Sequence, residues 1–204
     1  MRTSRLEAFS DGVLAIIITI MVLNLKVPEG HSLTSLQHTA GTGLVTYVLS
    51  FAYVGIYWNN HHHMFQLVKS ISGGVLWANL SLLFCLSLFP FTTSWVDETS
   101  YARTPMVAYG VNLVAAGVAY FVLQSVIVRN QGSNSPLREA LGRDVKGKGS
   151  IVVYLAGIAC VLALGPVTRA GVWLGFALYV AVAVAWLVPD RRVEKAIRER
   201  GADY

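Results

Sequence analysis

Residues 5–26 read R-L-E-A-F-S-D-G-V-L-A-I-I-I-T-I-M-V-L-N-L-K, an apolar run with two polar residues set inside it. At about 1.5 Å per residue, Phe9 to Leu25 approaches the roughly 30 Å of a hydrocarbon core, which predicts a transmembrane helix over 5–26. An inert anchor would carry neither Ser10 nor Asp11, and an ionisable residue inside such a helix is a functional signal by default. Ser4-Arg5-Leu6-Glu7 has capping-box spacing, placing the helix start ahead of Phe9. With about 100° between successive residues, Arg5, Phe9, Gly12, Ile16, Thr19, Ile20 and Leu23 form one stripe, and Ser10 and Asp11 point away from it.

The rest of the chain is of the same kind. Its 204 residues are 54% hydrophobic and 13% charged, against about 25% charged in an ordinary soluble domain. The first apolar run lacks the short length and small-residue end of a cleaved signal, so it reads as a retained helix. A net charge of +5 could suggest nucleic acid, but the placement of the basic residues argues for topology. All but Lys26, Arg103 and Arg169 fall before helix one, between helices two and three, between four and five, or after six. The positive-inside rule then makes both termini cytoplasmic and the number of crossings even. The expected partner is a lipid bilayer, with the chain multi-pass in the cell membrane. Cys85 and Cys160 sit in apolar runs as small buried hydrophobes, with no disulfide framework or zinc spacing.

In chain order, the pattern predicts an all-α integral membrane protein with six helices, over residues 5–26, 41–58, 71–96, 104–128, 150–164 and 170–188. A polar loop is expected over 27–40, a basic linker over 129–149 and a charged cytoplasmic tail over 189–204. Pro90 predicts a kink in helix three. Asn79, within that helix, reads as interhelical glue. Pro166 falls in the turn between helices five and six. Gly171-x-x-x-Gly175 reads as close helix packing rather than a dimer face. Helix two ends in Trp58-Asn59-Asn60-His61-His62-His63. Adjacent histidines face directions about 100° apart, so the three cannot chelate one ion from a single helical face, and no metal or cofactor is expected.

Asp11 needs a partner, and Arg5 lies on a different face. The same topology places Trp58 and His61 at the cytoplasmic end, where either could reach it. Such a cluster could simply lock helices one and two together.

Arg5-x-x-x-Phe9-Ser10-Asp11, with Trp58-x-x-His61 at the end of helix two, resembles the signature of the transmembrane-protein-175 potassium channels, known in bacteria as domain of unknown function 1211. The resemblance runs from Arg5 to about Val188. It implies a homotetramer of six-helix subunits with helix one lining a central pore, and potassium as the permeant ion. It also implies a constriction of bulky aliphatic side chains in place of a carbonyl filter. Carried over by distance from the signature, the first constricting position falls on Ile16, Thr19 contributes to selectivity, and Ile20 and Leu23 continue the wall. Arg5, Ser10 and Asp11 are implied to join Trp58 and His61 in a hydrogen-bond network bracing the pore helix.

Two other classes compete. A secondary transporter, or a proton-conducting protein using Asp11 and His61, would want broken helices and midplane charges, which are scarce apart from Pro90. An enzyme would want further acids or nucleophiles at the depth of Asp11 and His61 to His63, and the sequence offers none.

Overall fold

The computed structural model describes residues 3–68, 70–132, 135–141, 144–165 and 167–188. Arg2, Lys69, Arg143, Pro166 and the predicted tail 189–204 lie outside the described residues. The described residues form helices only: α1 (Thr3–Leu23), α2 (Leu33–Gln66), α3 (Gly73–Ser87), α4 (Phe89–Glu98), α5 (Arg103–Gln131), α6 (Pro136–Leu141), α7 (Val145–Leu164) and α8 (Arg169–Leu187).

Several boundaries correct the sequence-based ones. Helix α1 starts at Thr3, so Ser4 is already helical and does not cap, and it ends at Leu23, three residues before Lys26. Helix α2 is far longer than 41–58. Its true start is capped by Ser32, whose hydroxyl accepts from the Ser35 amide at 3.1 Å. It runs on through the three histidines because Met64 and Phe65 still bury against the core. In the third segment the helix is interrupted at the single residue Leu88, two before Pro90, with φ −83° and ψ −9° still in the right-handed helical region. Proline has no N–H to offer the carbonyl four residues back, and the chain tightens just before it, with the Leu88 amide donating to the Cys85 carbonyl at 3.3 Å. The linker 129–149 holds the end of α5, the short α6 and the first turn of α7, capped by Asp144 on the Gly147 amide at 3.1 Å.

Helix α5 stands at the centre, against α3 and α4 on one side and α7 on the other, and α7 and α8 form an antiparallel pair. A Cβ on Gly175 would come within 2.4 Å of Val161 Cγ2, and one on Gly157 within 2.5 Å of Tyr179 Cε1. The Gly171-x-x-x-Gly175 pair therefore serves packing inside the subunit. The core is rich in tyrosine. Tyr53, Tyr109 and Tyr179 are fully buried with their rings in contact through Tyr154 and Phe89. Two of the three hydroxyls are engaged: Tyr109 Oη lies 3.0 Å from Ser50 Oγ, itself 2.6 Å from Thr93 Oγ1, and Tyr53 Oη donates to the Tyr179 carbonyl at 2.5 Å, whereas the Tyr179 hydroxyl has no hydrogen-bond partner among the described residues.

Large apolar side chains stand on the outside, among them Trp77, Phe84, Phe91, Val152 and Val184, as expected of a surface facing hydrocarbon. Among the described residues, five segments are long and apolar enough to cross a membrane: α1, α3 with α4, α5, α7 and α8. Helix α2 is not one of them, because Thr46, Tyr47, Ser50, Tyr53 and Tyr57 dilute its apolar run.

Candidate functional site

Helix α1 has two faces. Leu6, Ser10, Leu14, Ile17 and Met21, spaced four, four, three and four apart, are buried against α2, α3 and α4. This is the spacing of one helical stripe. The stripe of Arg5, Phe9, Gly12, Ile16, Thr19, Ile20 and Leu23 is exposed along its whole length, with Ile16 at 59%, Ile20 at 45% and Leu23 at 81%. Thr19 is the one hydroxyl in the run. Its proton is engaged by carbonyls of its own helix, Ile16 at 2.9 Å and Ala15 at 3.1 Å. The oxygen lone pairs are what it can offer on the exposed face.

Behind that face, two separate polar contacts hold α1. Trp58 Nε1 donates to Asp11 Oδ1 at 3.0 Å, on the exposed side of the α1–α2 seam. Deeper in, His61 Nε2 is 2.8 Å from Asn79 Oδ1, Asn79 Nδ2 donates to Ser10 Oγ at 3.0 Å, and Ser10 Oγ donates to the Leu6 carbonyl at 2.9 Å. Asn79 Oδ1 can only accept, so the His61 proton must lie on Nε2. His61 is 2% exposed and Asn79 and Ser10 are fully buried, and each of the three side chains finds a protein partner.

The structure thus joins Ser10 with His61, and Asp11 with Trp58, but as two branches. Asn79, absent from the network that the resemblance implies, is the group that connects three helices. The sequence read it as interhelical glue, which its bonds to α1 and α2 bear out, but did not name its partners. Among the described residues, Arg5 and Phe9 join neither branch; both lie on the exposed stripe. The other two histidines diverge from His61. His62 stacks on Trp58, ring centroids 6.2 Å apart, and bonds Gln66 at 2.9 Å, while His63 is half-buried.

Residues 5–90 match the family model of the endosomal/lysosomal potassium channel TMEM175. A relative from Chryseobacterium sp. (strain P1-3), named as a potassium channel, is 50% identical over 199 residues, 98% of this chain and 100% of that protein. Human TMEM175, named as an endosomal/lysosomal proton channel, is 33% identical over 130 residues, 62% of this chain and 25% of that protein. Among solved structures, a lysosomal potassium-selective channel TMEM175 homolog from Chamaesiphon minutus superposes with a TM-score of 0.74 at 25% identity, over 92% of this chain and 97% of that one. With half of its residues shared with a relative along nearly its whole length, the chain belongs to the TMEM175 potassium channel family.

Proposed function

We propose that the chain is one subunit of a homotetrameric potassium channel of the cell membrane, with both termini cytoplasmic and six crossings, α2 supplying the sixth. The names of its relatives support the ion and the class, and these relatives are channels rather than enzymes. The observation that carries the reading is the exposed stripe of α1, whose opposite face is anchored to three other helices. A helix held so firmly from behind, with an unpartnered aliphatic face in front, suits a pore wall formed by four copies.

On this reading Ile16 makes the narrowest ring, Ile20 and Leu23 extend it, and Thr19 turns its lone pairs toward passing ions. A ring of isoleucines offers no ligands, so an ion crosses it hydrated or partly stripped, and the ring can close by dewetting. Potassium loses water more readily than sodium, which gives a modest preference and no more. A proton relay from Asp11 to His61 fits the geometry less well, because each is bonded to a different group. The test is single-channel recording of purified protein in planar bilayers. Discrete current steps reversing toward the potassium equilibrium potential support the channel, whereas saturable flux without steps supports a transporter.

A further inference from the structure

Asn112, in the middle of α5, is buried with nothing to bond. It is 5% exposed, and neither its Nδ2 nor its Oδ1 has a hydrogen-bond partner among the described residues. Native interiors pair nearly all such groups, so an exception needs a cause. Contacts along α5 show what the amide faces. Tyr109 meets the Phe89 ring of α4, centroids 6.0 Å apart, and a Cβ on Gly74 of α3 would lie 3.4 Å from Val126 Cγ1. Gly110 and Gly117 face Ile158 and Ile151 of α7. At about 100° per residue, Asn112 falls between the directions of Tyr109 and Val126 and far from those of Gly110 and Gly117, so it turns toward α3 and α4. Helix α5 runs antiparallel to these two, and one turn inward from the Tyr109–Phe89 pair brings Asn112 level with residues 86–88.

At that level a backbone acceptor lacks its regular donor, because Pro90 has no N–H to give the Leu86 carbonyl. The interruption at Leu88 lies between the two. On either side of it the chain is tied to different partners: α3 to α1 and α2 through Asn79, and α4 to α2 and α5 through Thr93 and Phe89. A small change of angle at Leu88 leaves both sets of contacts standing. The joint also lies at the depth of the exposed stripe of α1: counted outward from the Ser10–Asn79 bond, Leu88 is as far along α3 as Thr19 is along α1. Helix α1 packs on both α3 and α4, so a change of angle between them reaches it there.

We propose that the α3–α4 joint is a two-position hinge, and that Asn112, unpaired in the position seen here, donates to the Leu86 carbonyl in the other. The bond regained in the second position keeps the two close in free energy, as a gate requires. The inference deepens the channel reading and rests on it for its effect on current.

The test keeps the full chain. Asn112→Leu removes the group that favours the second position, so the open probability in planar bilayers should change about fivefold, the ratio that one amide hydrogen bond sets between two states. Pro90→Ala returns a donor to the Leu86 carbonyl and should change it in the same sense; in that background Asn112→Leu should add nothing. A readout independent of current is a trifluoromethyl tag on Phe91→Cys, an exposed site on α4, in a cysteine-free background. Its fluorine spectrum should carry a second resonance that Asn112→Leu removes. Absence of current from the unsubstituted protein would count against the channel reading, and the fluorine spectrum then decides the hinge. An open probability unchanged by Asn112→Leu, a further change when it is added to Pro90→Ala, a fluorine spectrum indifferent to Asn112, or a lower thermal midpoint that shows the amide to be engaged in the present position would overturn the assignment.

Discussion

At the residue scale, one amide carries the tightest joint in the subunit. Asn79 accepts from His61 of α2 and donates to Ser10 of α1, so its two ends fix the rotation of three helices at once. Asn79→Ala leaves the His61 N–H buried without an acceptor, at a cost of about 1–3 kcal/mol. We expect a clearly lower thermal midpoint and less detergent-stable oligomer. Trp58→Phe, which loses a bond on the exposed side of the seam, should cost less. A wild-type midpoint for Asn79→Ala would contradict the lock. A second buried amide behaves in the opposite way. Asn112, in α5, has no hydrogen-bond partner among the described residues. Asn112→Leu should therefore raise the midpoint, since burying an unpaired amide costs free energy that a leucine does not; a fall would show the amide to be engaged. The polar residues of the lock were legible in the sequence because each interrupts an apolar run. Their pairing was not. Which of Trp58 and His61 meets Asp11 depends on the depth and rotation of α2 and α3, which no local pattern encodes.

At the scale of elements, the apolar runs located the helices but not their ends. Residues 33–40 are polar and read as a loop, yet nothing in them forbids a helix once Ser32 caps it. The 34 residues of α2 extend about 50 Å, well beyond a hydrocarbon core, and a polar turn is comfortable in the part that reaches past it. The interruption before Pro90 was legible as a kink, since proline removes a donor whatever the context. The glycines of α7 and α8 give a sharp test. Gly175→Ala sets a methyl group 2.4 Å from Val161 Cγ2 and 2.8 Å from the Gly157 carbonyl oxygen. The overpacking should cost about 1–3 kcal/mol, seen as reduced yield and a lower midpoint. Gly41→Ala, where an added Cβ meets nothing within 4 Å, should be close to neutral. Equal stability of the two variants would remove close α7–α8 packing as the reason for Gly175.

At the scale of the whole molecule, the proposed channel depends on topology and on what α1 faces. With six crossings and cytoplasmic termini, the loop between α1 and α2 lies outside. In a cysteine-free background, His31→Cys should react with a membrane-impermeant maleimide from outside, and Arg138→Cys only after permeabilisation. The reverse pattern would invert the topology. The positive-inside asymmetry is the sequence argument for this orientation, which the labelling tests, whereas the exposed stripe of α1 acquires meaning only once its other face is seen to be anchored.

The most direct test of the pore compares two asparagines on α1. If four copies of Ile16 form the constriction, Ile16→Asn eases wetting of the ring and lets sodium pass almost as readily as potassium. Val13 lies about 60° further round, partly buried against the subunit core, and Val13→Asn should leave selectivity as it was. The measurement is the reversal potential in planar bilayers under opposing potassium and sodium gradients, for wild type and both variants. The expected result is a shift toward zero for Ile16→Asn alone; an Ile16→Asn protein that assembles, conducts and keeps the wild-type reversal potential would contradict a pore on this face of α1.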